Sequence, residues 1–168
     1  MSVHSTIESP LGELLLIGAH RADGSFALAS LSVPGQKGGA TPPADSRRDA
    51  AAFGDVTRQL DAYFAGDRRD FDLDFTTRGS TFQERVWAAL DAIPYGATTS
   101  YGEIAARVGT SRAGVRAVGT AIGANPLLVV RPCHRVIGAD GALRGYAGGL
   151  DRKEYLLTHE GALPARLG

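Results

Sequence analysis

Cysteine is nearly absent from this 168-residue chain: Cys133 is the only one. A lone cysteine excludes an internal disulfide and leaves too few thiolates for a Cys/His zinc site, so neither a metal nor another cofactor is expected. No apolar run approaches the roughly 18 residues of a membrane span. The start, Met1-Ser2-Val3-His4-Ser5, lacks the basic-then-apolar pattern of a secretory signal. No internal repeat is visible. These absences point to the cytoplasm, where a reducing environment preserves an exposed thiol. Lysine is scarce as well, with only Lys37 and Lys153 among 18 basic residues. The net charge is +0, but it is unevenly spread: residues 1–100 carry 9 Lys and Arg against 13 Asp and Glu, and residues 101–168 carry 9 against 5. The basic excess shares a segment with Cys133 and suggests an anionic partner such as nucleic acid.

What is present reads as α+β in two parts. Leu11–Ile17 and Phe26–Leu31 read as strands joined by an Arg21-Ala22-Asp23-Gly24 hairpin turn. Pro34–Arg48, rich in Gly, Pro, Ala and Ser, reads as a mobile loop. Phe53, Val56, Leu60 and Phe64 recur at helical spacing within Asp49–Ala65, and Gly66 follows as a stop. Phe71–Phe75 alternates strictly, as a half-buried strand does. Thr76–Gly79 then reads as a linker, which gives a small α/β domain (antiparallel strands plus a helix) over 1–77 and a mostly helical domain over 78–168. In the second part, Ser80 with Gln83, Ser100 with Glu103 and Asp151 with Glu154 have the spacing of capping boxes. Trp87 is expected in the core.

Tyr101–Val108, a Gly109-Thr110-Ser111 turn and a second helix from Arg112 to about Gly123 have helix-turn-helix spacing. Ile104, Val108, Val115 and Val118 meet between the two helices, and Ala105 is small enough for close approach. An ordinary helical hairpin fits that spacing equally well. The exposed face helps to decide. Gly114, Ala117, Gly119 and Ala121 leave it almost bare, with Arg116 projecting. Such a face offers few side chains for reading bases, but it allows close, sequence-tolerant contact in a minor groove. A single arginine there could fill a gap in a base stack.

Cys133 sits in Pro132-Cys133-His134-Arg135-Val136, after the apolar run Leu127–Val130, which reads as a short buried strand. Pro132 favours the first turn of a helix, which would place the thiol near the positive end of a helix dipole. Cationic neighbours and a helix N-terminus lower a thiol's pKa from its usual ~8.5 and favour thiolate chemistry. An isolated free cysteine is more often a small core residue, but these surroundings favour the nucleophile.

Several segments together resemble the O6-alkylguanine-DNA alkyltransferase family, also called methylated-DNA–protein-cysteine methyltransferases. They are Phe82–Trp87, Ile93–Gly96, Ser100–Ala105, Arg116–Gly119, Asn125-Pro126, Pro132–Gly138, Gly145–Leu150 and Lys153-Glu154, and Ser9–Gly12 fits too. The resemblance implies irreversible, single-turnover transfer of an alkyl group from guanine O6 to Cys133. By the same resemblance His134 deprotonates Cys133 through a bound water, Glu160 orients the histidine, and Asn125 ties the turn around the site. Tyr101 donates to the leaving base, while Lys153 and the Ala147 N–H support its O6 side. Tyr146, Gly148 and Gly149 line the pocket, and the carbonyls of Cys133 and Val136 read the exocyclic amine. Arg116 fills the space left by the flipped base. The implied partner is double-stranded DNA with O6-alkylguanine, bound by a monomer with little sequence preference.

Arg131 and Arg144 depart from the family pattern, which has an aliphatic and a small residue there. A buried Arg131 needs a carboxylate or solvent, and Arg144 could restrict bulky alkyl groups or touch phosphate. Three rivals fit less well. A recognition-only relative would lack the acceptor cysteine, and a redox-sensing helix-turn-helix regulator would need a richer recognition helix. A cysteine hydrolase would need a separate His/Asn pair.

Overall fold

The computed structural model describes residues 2–111 and 114–163. The chain forms two compact units, Met1–Thr77 and Arg78–Gly168. The first is built on a four-stranded sheet. Strand β1 (Ser2–Ser9) pairs antiparallel with β2 (Gly12–His20), which pairs antiparallel with β3 (Phe26–Ser32). The short β4 (Arg47–Arg48) runs parallel to β1 on its other edge, giving the order β3-β2-β1-β4. The β1–β2 turn closes locally: the Ser9 hydroxyl donates to the Gly12 carbonyl and accepts from the Leu11 N–H. At the β2–β3 turn Asp23 accepts from the Ser25 N–H and hydroxyl. The register shifts between Ile17 and Gly18. A side chain at Gly18 would begin only 2.6 Å from the Phe26 ring, so this close approach requires glycine.

A 3-10 turn at Ala50–Phe53, capped by Asp49, leads into α1 (Gly54–Phe64). Phe53, Val56, Leu60 and Tyr63 on one stripe join Leu14, Leu16, Leu28 and Leu31 of the sheet in a buried core. Gln59 accepts from the Asp72 N–H and donates to the Asp72 carbonyl, pinning the segment after the helix.

The second unit holds α2 (Thr81–Asp91), α3 (Tyr101–Arg107), α4 (Val115–Gly123) and α5 (Leu150–His159). Two-residue strands β5 (Thr99–Ser100) and β6 (Val136–Ile137) pair in parallel. Ser80 and Gln83 form a complete capping box for α2. Trp87 is buried, and its indole N–H donates to the Ala121 carbonyl, joining α2 to α4. Arg85 reaches the Val108 carbonyl, fixing the end of α3. Gly109 follows with φ 77°, the left-handed conformation that this sharp turn needs. Among the described residues, no helix is long and apolar enough to cross a membrane.

Several local expectations are corrected. Ser2–Ser9 is a full strand that its polar sequence concealed, and Arg47–Arg48, assigned to a loop, adds a strand. Phe71–Phe75 keeps alternating exposure but makes only one isolated bridge, Phe75 to Leu28. Leu127–Val130 is buried but turns instead of extending: Arg131 N–H donates to the Leu127 carbonyl, and Val129 has φ 69°. Asp151 and Glu154 form no capping box, because α5 begins at Leu150 and its cap residue is Gly149. Ser100 caps α3, but the Glu103 side chain accepts from Thr99 Oγ1. Arg112, where the second helix of the pair was expected to start, lies outside the described residues.

Candidate active site

The site is organised by the buried turn between α4 and β6. Asn125 Oδ1 accepts from the Leu127 N–H, and its Nδ2 donates to the carbonyls of Leu127 and Arg131, both at 3.3 Å. One amide thus ties three backbone groups of the buried turn together and supplies the Leu127 N–H with its acceptor. The chain then enters a 3-10 turn at Cys133–Arg135, whose Cys133 N–H donates to the Arg131 carbonyl.

This turn is one residue triplet long and offers little dipole, contrary to the helix start expected after Pro132. Cys133 is 3% exposed, and burial pushes its thiol up to about 11. A hydrogen bond from Asn125 and the charges of Lys153 and Arg131 pull the other way and lose. The resting group is therefore a thiol. The expectation of a lowered pKa fails because desolvation outweighs the cationic neighbours.

Behind it lies a buried ionic cluster. His134 Nε2 is 2.9 Å from Glu160 Oε2. Arg135 grips the same carboxylate with two prongs, Nε to Oε1 at 2.8 Å and an Nη to Oε2 at 2.9 Å, and donates to the Ile93 carbonyl at 2.6 Å. A carboxylate partner assigns the proton of a neutral imidazole to Nε2 and leaves Nδ1 with the lone pair. Nδ1 is buried with no protein hydrogen-bond partner among the described residues. Burial holds His134 below the usual imidazole value, against the opposing pull of Glu160, so the ring is neutral at neutral pH.

Cys133 opens onto a cavity of about 260 Å³ lined by Tyr101, Gly119, Ile122, Gly123 and Arg144–Ala147. Ligand pockets usually run ~300–1,000 Å³, so this one has the scale of a single small ring system. Burial, and secondarily the nearby thiol, raises the Tyr101 phenol and keeps it a donor. Lys153, fully buried on α5, donates to the Val136 carbonyl at 2.6 Å and the Gly145 carbonyl at 2.8 Å. Desolvation lowers it to about 8. Its ammonium therefore clasps the pocket loop to β6 and also engages the Val136 carbonyl expected to read the base.

The structure thus gathers Cys133, Tyr101, Tyr146 and Ala147 at one cavity, with His134, Glu160, Asn125 and Lys153 packed behind. On α4, Arg116 and Ala117 are exposed, Gly119 lines the cavity, and Gly114 precedes the helix against Thr110. Ala121 is corrected: it is 3% exposed and faces inward. Arg144 is exposed at the lip, paired with Asp140 at 2.6 Å. The residue that sequence reading missed is Arg135, whose grip orients Glu160. Its signal was its place beside His134 in a segment of arginines. Among the described residues no group of His, Cys, Asp and Glu could hold a metal ion.

Comparison with known proteins agrees over both units. Residues 2–77 match the family described as 6-O-methylguanine DNA methyltransferase, ribonuclease-like domain, and residues 81–162 match the same family's DNA binding domain. A methylated-DNA–protein-cysteine methyltransferase of Mycolicibacterium paratuberculosis is 46% identical over 95% of this chain and 93% of its own length. One from Methanosarcina barkeri is 46% identical over 94% and 96%. The crystal structure of Mycobacterium tuberculosis OGT in complex with DNA superposes with a TM-score of 0.83 at 46% identity, covering 95% of this chain and 92% of that one. With both units matched in order and the single cysteine at the cavity, the chain belongs to the 6-O-methylguanine DNA methyltransferase family.

Proposed function

We infer that this protein is a methylated-DNA–protein-cysteine methyltransferase that repairs O6-alkylguanine in double-stranded DNA by taking the alkyl group onto Cys133. One observation carries the reading: the only thiol of the chain opens onto a base-sized cavity and is followed directly by a neutral histidine with a free ring nitrogen. His134 Nδ1 accepts the thiol proton, by way of a water, as sulfur attacks. Glu160, held by Arg135, stabilises the imidazolium that forms. The S–C bond forms as the O6–C bond breaks, and Tyr101 donates to the departing guanine. The thiol proton thus balances the proton gained by the base. A thioether has no low-energy route back to thiolate, so each molecule acts once.

The base must leave the duplex to reach a buried sulfur, at a cost of a few kcal/mol. Gly119 belongs both to the cavity wall and to α4, whose exposed Arg116 and Ala117 supply a slim face for a minor groove. Arg116 fills the vacated stack, and binding by a monomer rests on phosphate contacts that weaken with salt. The test is intact-mass and peptide mass spectrometry after incubation with a duplex bearing one O6-methylguanine. One methyl on the Cys133 peptide, absent in Cys133→Ser, is the expected result. Tight lesion binding without a mass change would overturn the transfer reading.

A further inference from the structure

Arg131 is a buried charge built into the site. Its side chain is 6% exposed and stacks over the Trp87 ring at 5.2 Å. Its Nε lies 3.5 Å from Asp91 Oδ1 at the end of α2, and an Nη donates to Asn125 Oδ1 at 3.4 Å. Asn125 in turn donates to the Arg131 carbonyl, which also accepts from the Cys133 N–H, and its amide favours the Cys133 thiolate. The guanidinium thus closes a ring of contacts from Asp91 through Asn125 to the nucleophile. It also brings a permanent positive charge, because arginine does not titrate in this range. Asp91, 48% exposed, screens that charge only partly.

We propose that Arg131 is a positioning residue for alkyl transfer: it holds the Asn125 amide toward Cys133 and stabilises the thiolate, with Asp91 opposing it. The proposal rests on the transfer chemistry inferred above. The other charged or titratable groups around the sulfur are the adjacent His134, Lys153 from α5, and Tyr101, Arg144 and Tyr146, which line the same cavity. Of the cationic groups among them, Lys153 is already committed to two carbonyls. Arg131 acts from the Asn125 side, through a hydrogen-bonded amide. Its exposed carboxylate partner gives the pair an electrostatic signature of opposite signs. Removing the arginine raises the thiol's pKa, and removing the carboxylate lowers it.

The test compares full-length wild type with Arg131→Met, Arg131→Lys and Asp91→Asn. Methionine keeps an apolar stem against Trp87 without charge. Because the chain holds one cysteine, capture by iodoacetamide, read as intact mass at neutral pH, reports the thiolate fraction of Cys133 alone. Single-turnover methyl transfer from O6-methylguanine duplex is followed in parallel. Arg131→Met is expected to slow both reactions about threefold to tenfold, as a thiol shift of up to one unit would. Asp91→Asn is expected to speed iodoacetamide capture. Arg131→Lys should restore capture toward wild type while methyl transfer stays slow, separating charge from orientation. Capture unchanged in Arg131→Met, or moved the same way by Arg131→Met and Asp91→Asn, overturns the proposal. Wild type that is captured normally but transfers no methyl would instead overturn the functional reading.

Discussion

The two units bury different things. Among the described residues of Met1–Thr77 the buried polar side chains are Ser5, Ser30, Ser32 and Gln59, all neutral. Among the described residues of Arg78–Gly168 they are Thr99, Asn125, Arg131, His134, Arg135, Lys153 and Glu160, and five of these seven are ionisable. A neutral hydroxyl or amide needs one or two hydrogen bonds to be tolerated in a core. A buried ion needs a partner of opposite charge as well, and even then it often contributes no net stability. The first unit is therefore put together as structure. The second carries a burden that only chemistry explains: Arg131, His134 and Arg135 flank Cys133 in the chain, and Lys153 and Glu160 come to it from α5 and its end.

The largest break in this contrast is expected at Glu160. Glu160→Gln leaves Arg135 and His134 without their carboxylate, which costs about 3–5 kcal/mol for a broken buried pair. The check is urea unfolding followed through Trp87, which is the only tryptophan and reports on the second unit alone. The matching change in the first unit, Gln59→Leu, strands the Asp72 N–H and carbonyl. It should cost a smaller ~1–3 kcal/mol, read by far-UV circular dichroism.

Titration sharpens the contrast next. His134 is lowered by burial, so below about pH 6.5 the unfolded chain takes up a proton that the fold refuses. The Trp87 midpoint should fall as the pH drops through that window. On the alkaline side two groups oppose each other. Lys153 titrates at about 8 when folded and at 10.5 when unfolded, so it makes stability rise with pH across that interval. Cys133, raised from 9.0 to about 11, makes stability fall across its own. The midpoint should rise from about pH 8 to 9 and then level off. In Cys133→Ser the rise should continue to about 10.5, and a plateau in that variant would refute the assignment.

The smallest effect belongs to the surface of the first unit. Arg21 and Asp74 pair at 3.1 Å with side chains 41% and 59% exposed. Arg21→Ala should change stability by less than about 1 kcal/mol, and less still in high salt, by the same circular-dichroism measurement.

Legibility in the sequence divides along a related line. Features set by neighbours in the chain could be read directly, such as the Ser80–Gln83 box, the Arg21–Gly24 turn, the spacing of α3 and α4, and Cys133 beside His134. Features set by partners far away could not. Strand β1 reads Ser-Val-His-Ser-Thr-Ile-Glu-Ser, and its ladders with β2 and β4 make it a strand. Leu127–Val130 has a strand's composition, but Asn125 and a left-handed Val129 fold it into a turn. Periodicity cannot separate these alternatives when every residue in a run is buried. The sign of the Cys133 shift failed for the same reason. Its cationic neighbours are visible in the chain, whereas the burial that outweighs them is a property of the fold. Arg135 was visible as a charge, but its grip on Glu160 spans 25 residues.

The high thiol pKa bears on endurance as well as on reactivity. Thiolates attack peroxides and disulfides, and a thiol whose pKa is pushed up to about 11 presents almost no thiolate at neutral pH. Cys133 is thus kept chemically quiet in storage. Its ageing toward sulfenic acid or mixed disulfides is slowed by the same desolvation that its charged neighbours oppose.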